Sequence, residues 1–339
     1  MKNLNKVDTR ALVSTLKILL YSGNFYFLSP PIFIVSGWNN LKNLRNNKNS
    51  FLEQSAGNLR YFTNTTVSKA NTYTKFNELP KISDHISKKT HKKNLTDEQF
   101  GYFLAGLIEG DGWFGENTLH IIFHESDTSL AYYIKKRIGY GNIYKIKNKK
   151  AVRYVCKHSS GLSKILNLIN GKFVSHFKYD QLIKHNYPAL FNINFLLPVN
   201  NISLENYWLA GFTQADGCFH ISIVKSKTNK SGYSVRLEFS LKQNDKIPLK
   251  LLFDTLKMGN LSQYSSGIWC YKSSGYFTAY NLINYFDNFK VFDGKYIQFL
   301  KFRKVYIMVT KGLHLEAKGI KKIISIKSKG SPETSTQEV

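Results

Sequence analysis

Alternating hydrophobic and polar positions predict two neighbouring strands in the second half of the chain, from Cys218 to Val224 and from Tyr233 to Leu241. Successive side chains of a strand point to opposite faces, so each segment has one apolar face for a core. The apolar positions are Phe219, Ile221, Ile223, Val235, Leu237, Phe239 and Leu241. The stretch from Ser226 to Gly232 is rich in Lys, Asn and Gly. It therefore predicts the tip of an antiparallel hairpin that has one buried face and one polar face.

A second pattern is an internal repeat. The segment Tyr102–Gly112, YFLAGLIEGDG, returns as Tyr207–Gly217, YWLAGFTQADG. Further similarities follow in the same order, and they pair Lys157–Gly161 with Lys272–Gly275, Asn167–Asn170 with Asn281–Asn284, and Phe177–Tyr179 with Gly294–Tyr296. This order predicts two homologous units, residues 98–187 and 205–325, each built as helix, hairpin, helix, further strands and helix.

Three regions fall outside the two units. Residues 188–204 carry Pro188, Pro198 and several Asn, which is a composition typical of a linker. Residues 1–97 repeat neither unit and are rich in Asn, Ser, Thr and Lys, which predicts a separate, partly disordered N-terminal extension. Residues 326–339 predict a loose polar tail.

The repeated segments have small residues four positions apart, which predicts two closely packed helices. The small residues are Gly106 and Gly110 in the first copy and Gly211 and Ala215 in the second. Residues four apart share a helix face, so two backbones can approach closely there, flanked by Leu104, Leu107, Leu209 and Phe212. Each helix then ends at Asp-Gly, where we expect Gly112 and Gly217 to adopt the left-handed cap. This arrangement delivers Asp111 and Asp216 to one place.

Two carboxylates at helix C-termini repel each other and face the negative end of each dipole, so they favour a cation between them. Mg²⁺, or another divalent cation such as Mn²⁺, suits one or two carboxylates together with water and phosphate oxygens. For a single copy, an ordinary packing helix with a glycine cap would be the preferred interpretation. A second copy that keeps the spacing, the Asp and the Gly favours a metal site.

The charge balance indicates the class of partner. There are 48 Lys and Arg against 22 Asp and Glu, which gives a formal net charge of +26. Such a charge concentrates polyanions near the surface, so nucleic acid is the first expectation. A membrane is the minor interpretation, because the lysines are spread along the chain and no stretch approaches the roughly 20 apolar residues of a span.

The cysteines, Cys156, Cys218 and Cys270, are isolated from one another. Their spacing fits neither a zinc site nor a disulfide framework. We interpret all three as strand packing in a reducing compartment.

The segment Leu104–Gly112, LAGLIEGDG, resembles the signature of the LAGLIDADG homing endonucleases, and Leu209–Gly217, LAGFTQADG, resembles its second copy. The resemblance covers about residues 98–325. It implies an α+β fold in which two αββαββα units form a pseudo-two-fold saddle, with antiparallel sheets facing double-stranded DNA. It also implies a monomer that makes a site-specific double-strand break to promote intron homing. Because many members are encoded in organellar introns, a mitochondrial protein of the matrix is expected.

The resemblance also implies the roles of individual residues. Asp111 and Asp216 match the catalytic, metal-binding acids, with the carbonyls of Gly110 and Ala215 as further ligands. Gln243 matches a residue that holds the water network, and its counterpart in the first unit is Phe123. The lysines that assist the chemistry would be Lys178 and Lys295, each preceding the last helix of its unit, although a surface role is the alternative for each.

The outward strand faces are expected to contact DNA. The candidate contacts are His120, Arg153, Lys157, His220, Ser222, Ser234, Arg236, Glu238 and Ser240. The alternative is a generic solvated face, although two sheets matched by symmetry favour binding. His124, Glu125 and Asp127 could suggest a metal site, but we interpret them as a polar turn that opens the next helix.

Three functions remain open. The first is a metal-dependent DNA endonuclease, the second is a maturase that binds its host intron RNA, alone or in addition to cleavage, and the third is a DNA-binding regulator. A protein that only binds gains nothing from two clustered carboxylates facing phosphate. The presence of both acids therefore favours the endonuclease.

Overall fold

The computed structural model describes residues 79–86 and 95–328, together with the backbone of a short antiparallel strand pair, Gln54–Ser55 with Asn58–Leu59. The rest of the predicted extension and residues 329–339 of the predicted tail lie outside the described residues. The helix Ala317–Ser328 extends into the predicted tail, so the first residues assigned to the tail are helical.

The first unit begins with a helix whose start is encoded locally. The Thr96 hydroxyl accepts from Gln99 N at 3.2 Å, and the Gln99 side chain accepts from Thr96 N at 3.1 Å, which forms a capping box. The elements follow in the order α1 (Asp97–Asp111), β1 (Gly112–Gly115), β2 (Thr118–His124), α2 (Thr128–Ile138), β3 (Asn142–Lys145), β4 (Ala151–Cys156), α3 (Ser159–Ile169), α4 (His176–Lys184) and α5 (Tyr187–Phe191).

The second unit repeats this order. Its elements are α6 (Trp208–Asp216), β5 (Gly217–Lys225), β6 (Tyr233–Gln243), α7 (Lys246–Leu256), β7 (Asn260–Gln263), β8 (Trp269–Ser273), α8 (Tyr276–Asn288), α9 (Asp293–Thr310) and α10 (Ala317–Ser328). The predicted hairpin of β5 and β6, with its tip at residues 226–232, is confirmed.

In the part of the chain that the structure describes, each unit has an antiparallel four-stranded sheet. The strand orders are β1-β2-β4-β3 and β5-β6-β8-β7, so the two sheets have the same topology. The expected α+β fold with two repeated units is confirmed.

One face of each sheet packs against helices. In the second unit, Phe219 of β5 contacts Phe286 of α8 and Phe299 and Phe302 of α9, with ring centroids 5.1 to 5.5 Å apart. All the apolar positions predicted for the hairpin are buried, except Ile223, which is half-buried. The opposite, polar face of the strands is left uncovered by these helices.

The described part of the predicted extension packs against α9. Tyr306 donates to Pro80 O at 2.7 Å, and Arg303 donates to Ser83 O at 2.8 Å. Lys311 forms an ion pair with Asp84 at 2.5 Å. These contacts attach residues 79–86 to the helical side of the second unit.

The predicted linker also packs against the first unit. Helix α5 crosses its boundary, and the buried Tyr187 donates to Gly115 O at 3.0 Å. Further along, Val199 N donates to Phe173 O at 2.7 Å. Within the described residues, no helix is long and apolar enough to cross a membrane.

Candidate active site

Helices α1 and α6, called the motif helices below, pack with their backbones in contact. A Cβ atom on Gly106 would lie 2.7 Å from Phe212 N and still closer to Trp208 O. A Cβ on Gly211 would lie 2.9 Å from Leu107 N and would overlap Phe103 O. The close approach predicted from the small-residue spacing is confirmed.

Each motif helix runs directly into the first strand of its unit. Gly112 has φ −99° and Gly217 has φ −76°, both extended, so the expected left-handed caps are wrong. Glycine is required instead because a side chain at either position would collide with the last turn of the preceding helix. A Cβ on Gly112 would lie 2.8 Å from Ile108 Cα, and one on Gly217 would lie 2.7 Å from Thr213 O.

This junction places Asp111 and Asp216 side by side at the ends of the motif helices. A Cβ on Gly110 would lie 2.9 Å from Asp216 Oδ2, so the carboxylate of one unit reaches the backbone of the other. Burial, and then the negative charge of Asp216, raise the pKa of Asp111 to about 7. Burial raises the pKa of Asp216 to about 6, opposed first by its hydrogen bond from Gln243.

The surroundings of the two acids differ. Gln243 donates to Asp216 Oδ2 at 2.5 Å. Strand pairing aligns Gly112 with Ile121 and Gly217 with Leu241, so the residue two further on is Phe123 in one sheet and Gln243 in the other. The expected equivalence of these positions is therefore confirmed, and Phe123 is buried in its core.

Lys178 and Lys295 occupy equivalent sites beside the acids. Each amine donates to the carbonyl that follows the acid of its own unit, Lys178 to Gly112 O and Lys295 to Gly217 O. Each lysine precedes the last helix of its unit, as expected, because α5 follows Lys178 and α10 follows Lys295. Both lysines are themselves helical, Lys178 in the first turn of α4 and Lys295 in the first turn of α9. Burial lowers the pKa of Lys178.

A pair of polar residues that the sequence patterns did not single out anchors the turns that precede these lysines. Glu109 of α1 accepts from Ser175 N at 2.5 Å and from Trp208 Nε1 at 2.5 Å. Gln214, its equivalent in α6, accepts from Phe292 N at 2.7 Å. Burial raises the pKa of Glu109 to about 8. The available signal was a polar residue two positions before each Asp, inside an otherwise apolar helix.

The donor set fits a small divalent cation. Asp111 and Asp216 are the two carboxylates that would hold it, and within the described residues no group of three or more His, Cys, Asp or Glu side chains is placed to hold a metal ion. Mg²⁺ commonly uses one or two carboxylates and completes its shell with water and phosphate oxygens. A cation between the acids would also offset the repulsion that raises the pKa of Asp111.

The candidate DNA contacts of the second unit share the uncovered face of its sheet. His220 lies opposite Glu238 and Ser222 lies opposite Arg236. His220 is exposed, whereas Ser222, Ser234, Arg236, Glu238 and Ser240 are half-buried. Glu238 is already paired with Lys272, at 2.9 Å.

Three of the nine predicted DNA contacts lie on or next to the sheet of the first unit. His120 stacks on Trp113, with ring centroids 4.7 Å apart, and lies 3.0 Å from Thr118 Oγ1. Arg153 lies on the neighbouring strand, opposite Ile122, and the exposed Lys157 follows the end of β4. Trp113 was missed because its segment was too short to display a strand pattern.

Two minor predictions have mixed outcomes. Cys156 and Cys270 are buried, but Cys218 is exposed, so its assignment to packing is wrong. Cys218 follows Gly217 on the uncovered face of β5, opposite Ser240. The polar turn at residues 124–127 is confirmed as a short 3₁₀ segment in which His124 accepts from Ser126 N at 3.2 Å.

Comparison with known proteins identifies the family. The family described as LAGLIDADG endonuclease matches residues 209–306, from the second motif helix into α9. The chain is also 39% identical over 281 residues to an uncharacterized cox1 intron-2 protein of 37.2 kDa from Schizosaccharomyces pombe, spanning 80% of this chain and 83% of that one. The chain belongs to the LAGLIDADG endonuclease family.

The chain spans less than half the length of a second curated relative. A probable intron-encoded endonuclease 4 from Neurospora crassa is 25% identical over 255 residues, and the match spans 69% of this chain but 45% of the relative. Among solved structures, the LAGLIDADG meganuclease I-AabMI bound to uncleaved DNA superposes with a TM-score of 0.54 and 24% identity, covering 67% of this chain and 97% of that one. At this identity the likeness supports the LAGLIDADG fold alone.

Proposed function

We propose that this protein is a site-specific endonuclease that cuts both strands of DNA by metal-dependent phosphodiester hydrolysis and so promotes the homing of its intron. The observation that carries the proposal is that Asp111 and Asp216, one from each unit, lie side by side. Both are at the point where a motif helix runs into a sheet whose polar face is uncovered. Both sheets have the same topology, so one duplex could be held across both. The solved LAGLIDADG relative bound to DNA supports the same partner.

The residues around this point suit the reaction. Asp111 and Asp216 would hold Mg²⁺ or Mn²⁺, with the carbonyls of Gly110 and Ala215 as further ligands. When bound, such a cation polarises a phosphodiester and lowers the pKa of an attacking water. Gln243 fixes the orientation of Asp216 by its hydrogen bond.

The lysines would act on the same phosphates. Lys178 and Lys295 are fixed by Gly112 O and Gly217 O, so each amine stays beside its acid before substrate arrives. A cation preorganised in a partly dehydrated site stabilises charge that develops on the transferring phosphate. The pseudo-symmetric placement provides one such lysine for each DNA strand.

The relatives support an organellar origin. The Schizosaccharomyces pombe relative carries a cox1 intron in its name, and the Neurospora crassa relative is named as intron-encoded. We therefore propose a mitochondrial, intron-encoded protein that acts as a monomer on the DNA of its own compartment.

The deciding experiment uses plasmid DNA that carries the intron-free allele of the host gene, with Mg²⁺, and compares wild type with Asp111→Asn and Asp216→Asn. We expect each variant to cut at least about 100-fold more slowly while binding the DNA as wild type does. Asp254→Asn is the control, because Asp254 is exposed and, within the described residues, its ion pair is with Lys250 of the same helix, α7. Cutting that survives both active-site changes would refute the proposal.

A second candidate function is supported by one relative. The intron-encoded RNA maturase bI4 of Saccharomyces cerevisiae is 30% identical over 184 residues, which span 51% of this chain and 28% of that protein. A maturase would bind its host intron RNA and assist splicing, alone or in addition to cleavage. A splicing assay with the host intron distinguishes the two, since a maturase activity would persist in Asp111→Asn.

A further inference from the structure

The turn that carries Lys178 is attached to the opposite unit. Ser175 caps α4 by accepting from Phe177 N at 3.1 Å, and its hydroxyl donates to Asp245 of the second unit. The other carboxylate oxygen of Asp245 accepts from Ile247 N at 2.9 Å, which caps α7. One aspartate of the second unit therefore joins two helix starts, and one of these helices belongs to the first unit.

The turn that carries Lys295 has the reciprocal attachment. Asp127 of the first unit accepts from Gly294 N at 3.3 Å, in the first turn of α9. Its other oxygen accepts from Gln214 Nε2 at 3.3 Å. The Gln214 carbonyl is occupied by Phe292 N, so the amide group must face Asp127.

A residue with unusual backbone geometry reinforces this second attachment. Asp293, the first residue of α9, has φ 45°, a left-handed conformation that is costly for a residue with a side chain. Its carboxylate accepts from Leu130 N at 3.1 Å and from the Ser129 hydroxyl, at the start of α2 in the first unit. Each unit thus supplies an aspartate that accepts hydrogen bonds from the first turn of a helix in the other unit. Asp127 of the first unit does so at α9, and Asp293 of the second unit does so at α2.

We infer that Asp127 and Asp245 are positioning residues, each of which holds the active-site lysine of the opposite unit. Each lysine-bearing turn is anchored twice, by Glu109 or Gln214 of its own motif helix and by an aspartate from the other unit. A displacement of about 1 Å in a preorganised site can lower a rate about 100-fold. The catalytic consequence rests on the proposed endonuclease function, whereas the attachment itself does not.

The inference predicts a specific pattern of strand cleavage. Lys178→Ala and Lys295→Ala first establish which strand depends more on each lysine, by nicking of end-labelled plasmid substrate. Asp245→Ala should then slow the strand that Lys178→Ala slows, and Asp127→Ala the strand that Lys295→Ala slows, each by about 10- to 100-fold. A purely structural role predicts equal losses on both strands or the strand of the same unit, and either result would overturn the inference.

Conservative variants separate the two attachments. Asparagine at position 245 can still accept from Ile247 N and can donate to Ser175, so Asp245→Asn should cut within about 3-fold of wild type. Asparagine at position 127 would oppose its own amide to that of Gln214, so Asp127→Asn should be impaired. The double variant Asp127→Asn with Gln214→Glu recreates a donor and an acceptor, and it should recover the lost strand cleavage. Failure of this recovery counts against the role of Asp127.

Hydrogen exchange tests the attachment without any cleavage. Asp245→Ala should speed amide exchange in residues 174–178 of the first unit, and Asp127→Ala should speed it in residues 292–296 of the second. Asp254→Ala is the matched control on α7, and thermal melting confirms that each variant is folded. If wild type cuts no DNA, the proposed function fails, and unchanged exchange would still overturn the attachment.

Discussion

At the scale of single residues, the two halves of the candidate active site have equivalent backbone positions but different side chains beside the acids. Gln243 donates to Asp216, while the equivalent Phe123 is buried in the first core and offers no polar group. The hydrogen bond stabilises the ionised form of Asp216, which agrees with its pKa of about 6 against about 7 for Asp111. On the proposed function, the residues that support the two acids would therefore differ between the two strands of a bound duplex.

Unequal nicking of the two strands is the expected result. Gln243→Ala should slow one strand by about 10-fold and leave the other nearly unchanged, because Asp216 is the carboxylate that loses a hydrogen bond, while the second contact of Gln243, to Glu109 O, is long at 3.5 Å. End-labelling each strand and following both time courses measures this directly. Equal rates for the two strands in wild type would contradict the asymmetry.

The same acids predict how metal-free stability depends on pH. Their folded pKa values, about 7 and about 6, lie above the roughly 3.9 of an unfolded Asp, so the native state binds more protons between these limits. Stability in EDTA should therefore fall as pH rises from about 4 to about 7. Asp111→Asn should raise the melting temperature at pH 8, on the order of 1 kcal/mol in stability, and lose that advantage near pH 4.

Thermal melts in EDTA at pH 4 and pH 8 measure this difference. Adding Mg²⁺ at pH 8 should raise the melting temperature of wild type and have little effect on Asp111→Asn. An Asp111→Asn protein that melts lower than wild type at pH 8 without metal would show that the buried charge is not destabilising.

At the scale of helices and strands, much of the fold could be predicted from the internal repeat. Small residues four apart predicted the contact between α1 and α6, because a helix face can be read from spacing alone. The hairpin of the second unit was predictable because each strand alternates over many residues. Strand β1, at four residues, was too short for such a pattern.

The site was predictable where the relevant residues repeat and, for Gln243, where the family resemblance implied a residue that does not repeat. Asp111, Asp216 and the lysines recur in matching positions, so the two copies revealed them. Asp127 and Asp245 occupy equivalent positions before α2 and α7, but they do not recur at equal spacing from the motif, because the hairpin of β5 and β6 is much longer than that of β1 and β2. Their partners lie in the other unit, and no local pattern in a sequence encodes such a contact.

The helix contact has a direct test in Gly106→Ala. The added Cβ would overlap the Trp208 carbonyl, and neither backbone can move without separating the acids. We expect a loss of at least about 3 kcal/mol in the free energy of unfolding. Gly275→Ala is the control, since a Cβ there meets only Thr278 Oγ1 at 3.8 Å, and it should cost less than about 1 kcal/mol. Equal stability of the two variants in urea titrations would contradict the close packing.

At the scale of the whole molecule, basic side chains lie on two opposite sides of the second unit. Arg236 lies on the uncovered sheet face, whereas helix α10, with its exposed Lys318, Lys321 and Lys322, packs beyond α9 on the helical side. Both sets of basic side chains attract polyanions, but only the first can reach base edges in a groove.

This distribution predicts different effects for Arg236→Ala and Lys321→Ala on DNA binding. Arg236→Ala should weaken binding to the target by about 10-fold and reduce discrimination against altered targets, since a good base contact is worth about 1–3 kcal/mol. Lys321→Ala should change the affinity by less than about 2-fold and leave discrimination intact. Gel-shift titrations at fixed salt measure both effects, and a larger loss from Lys321→Ala would place the duplex on the other side.

If the protein cleaves DNA as proposed, the direct passage from motif helix to strand couples recognition of the target to cleavage. One extended glycine separates Asp111 from Trp113, and another separates Asp216 from Cys218, so no loop absorbs movement between the reading face and the acids. A mismatched base pair that tilts a sheet must also shift a carboxylate. DNA sites with an altered base pair would then be bound but cleaved slowly. Time courses of cleavage on each strand of singly altered targets would measure this. Slow cleavage at mismatched sites would limit damage to the host genome without requiring tighter binding to the correct site.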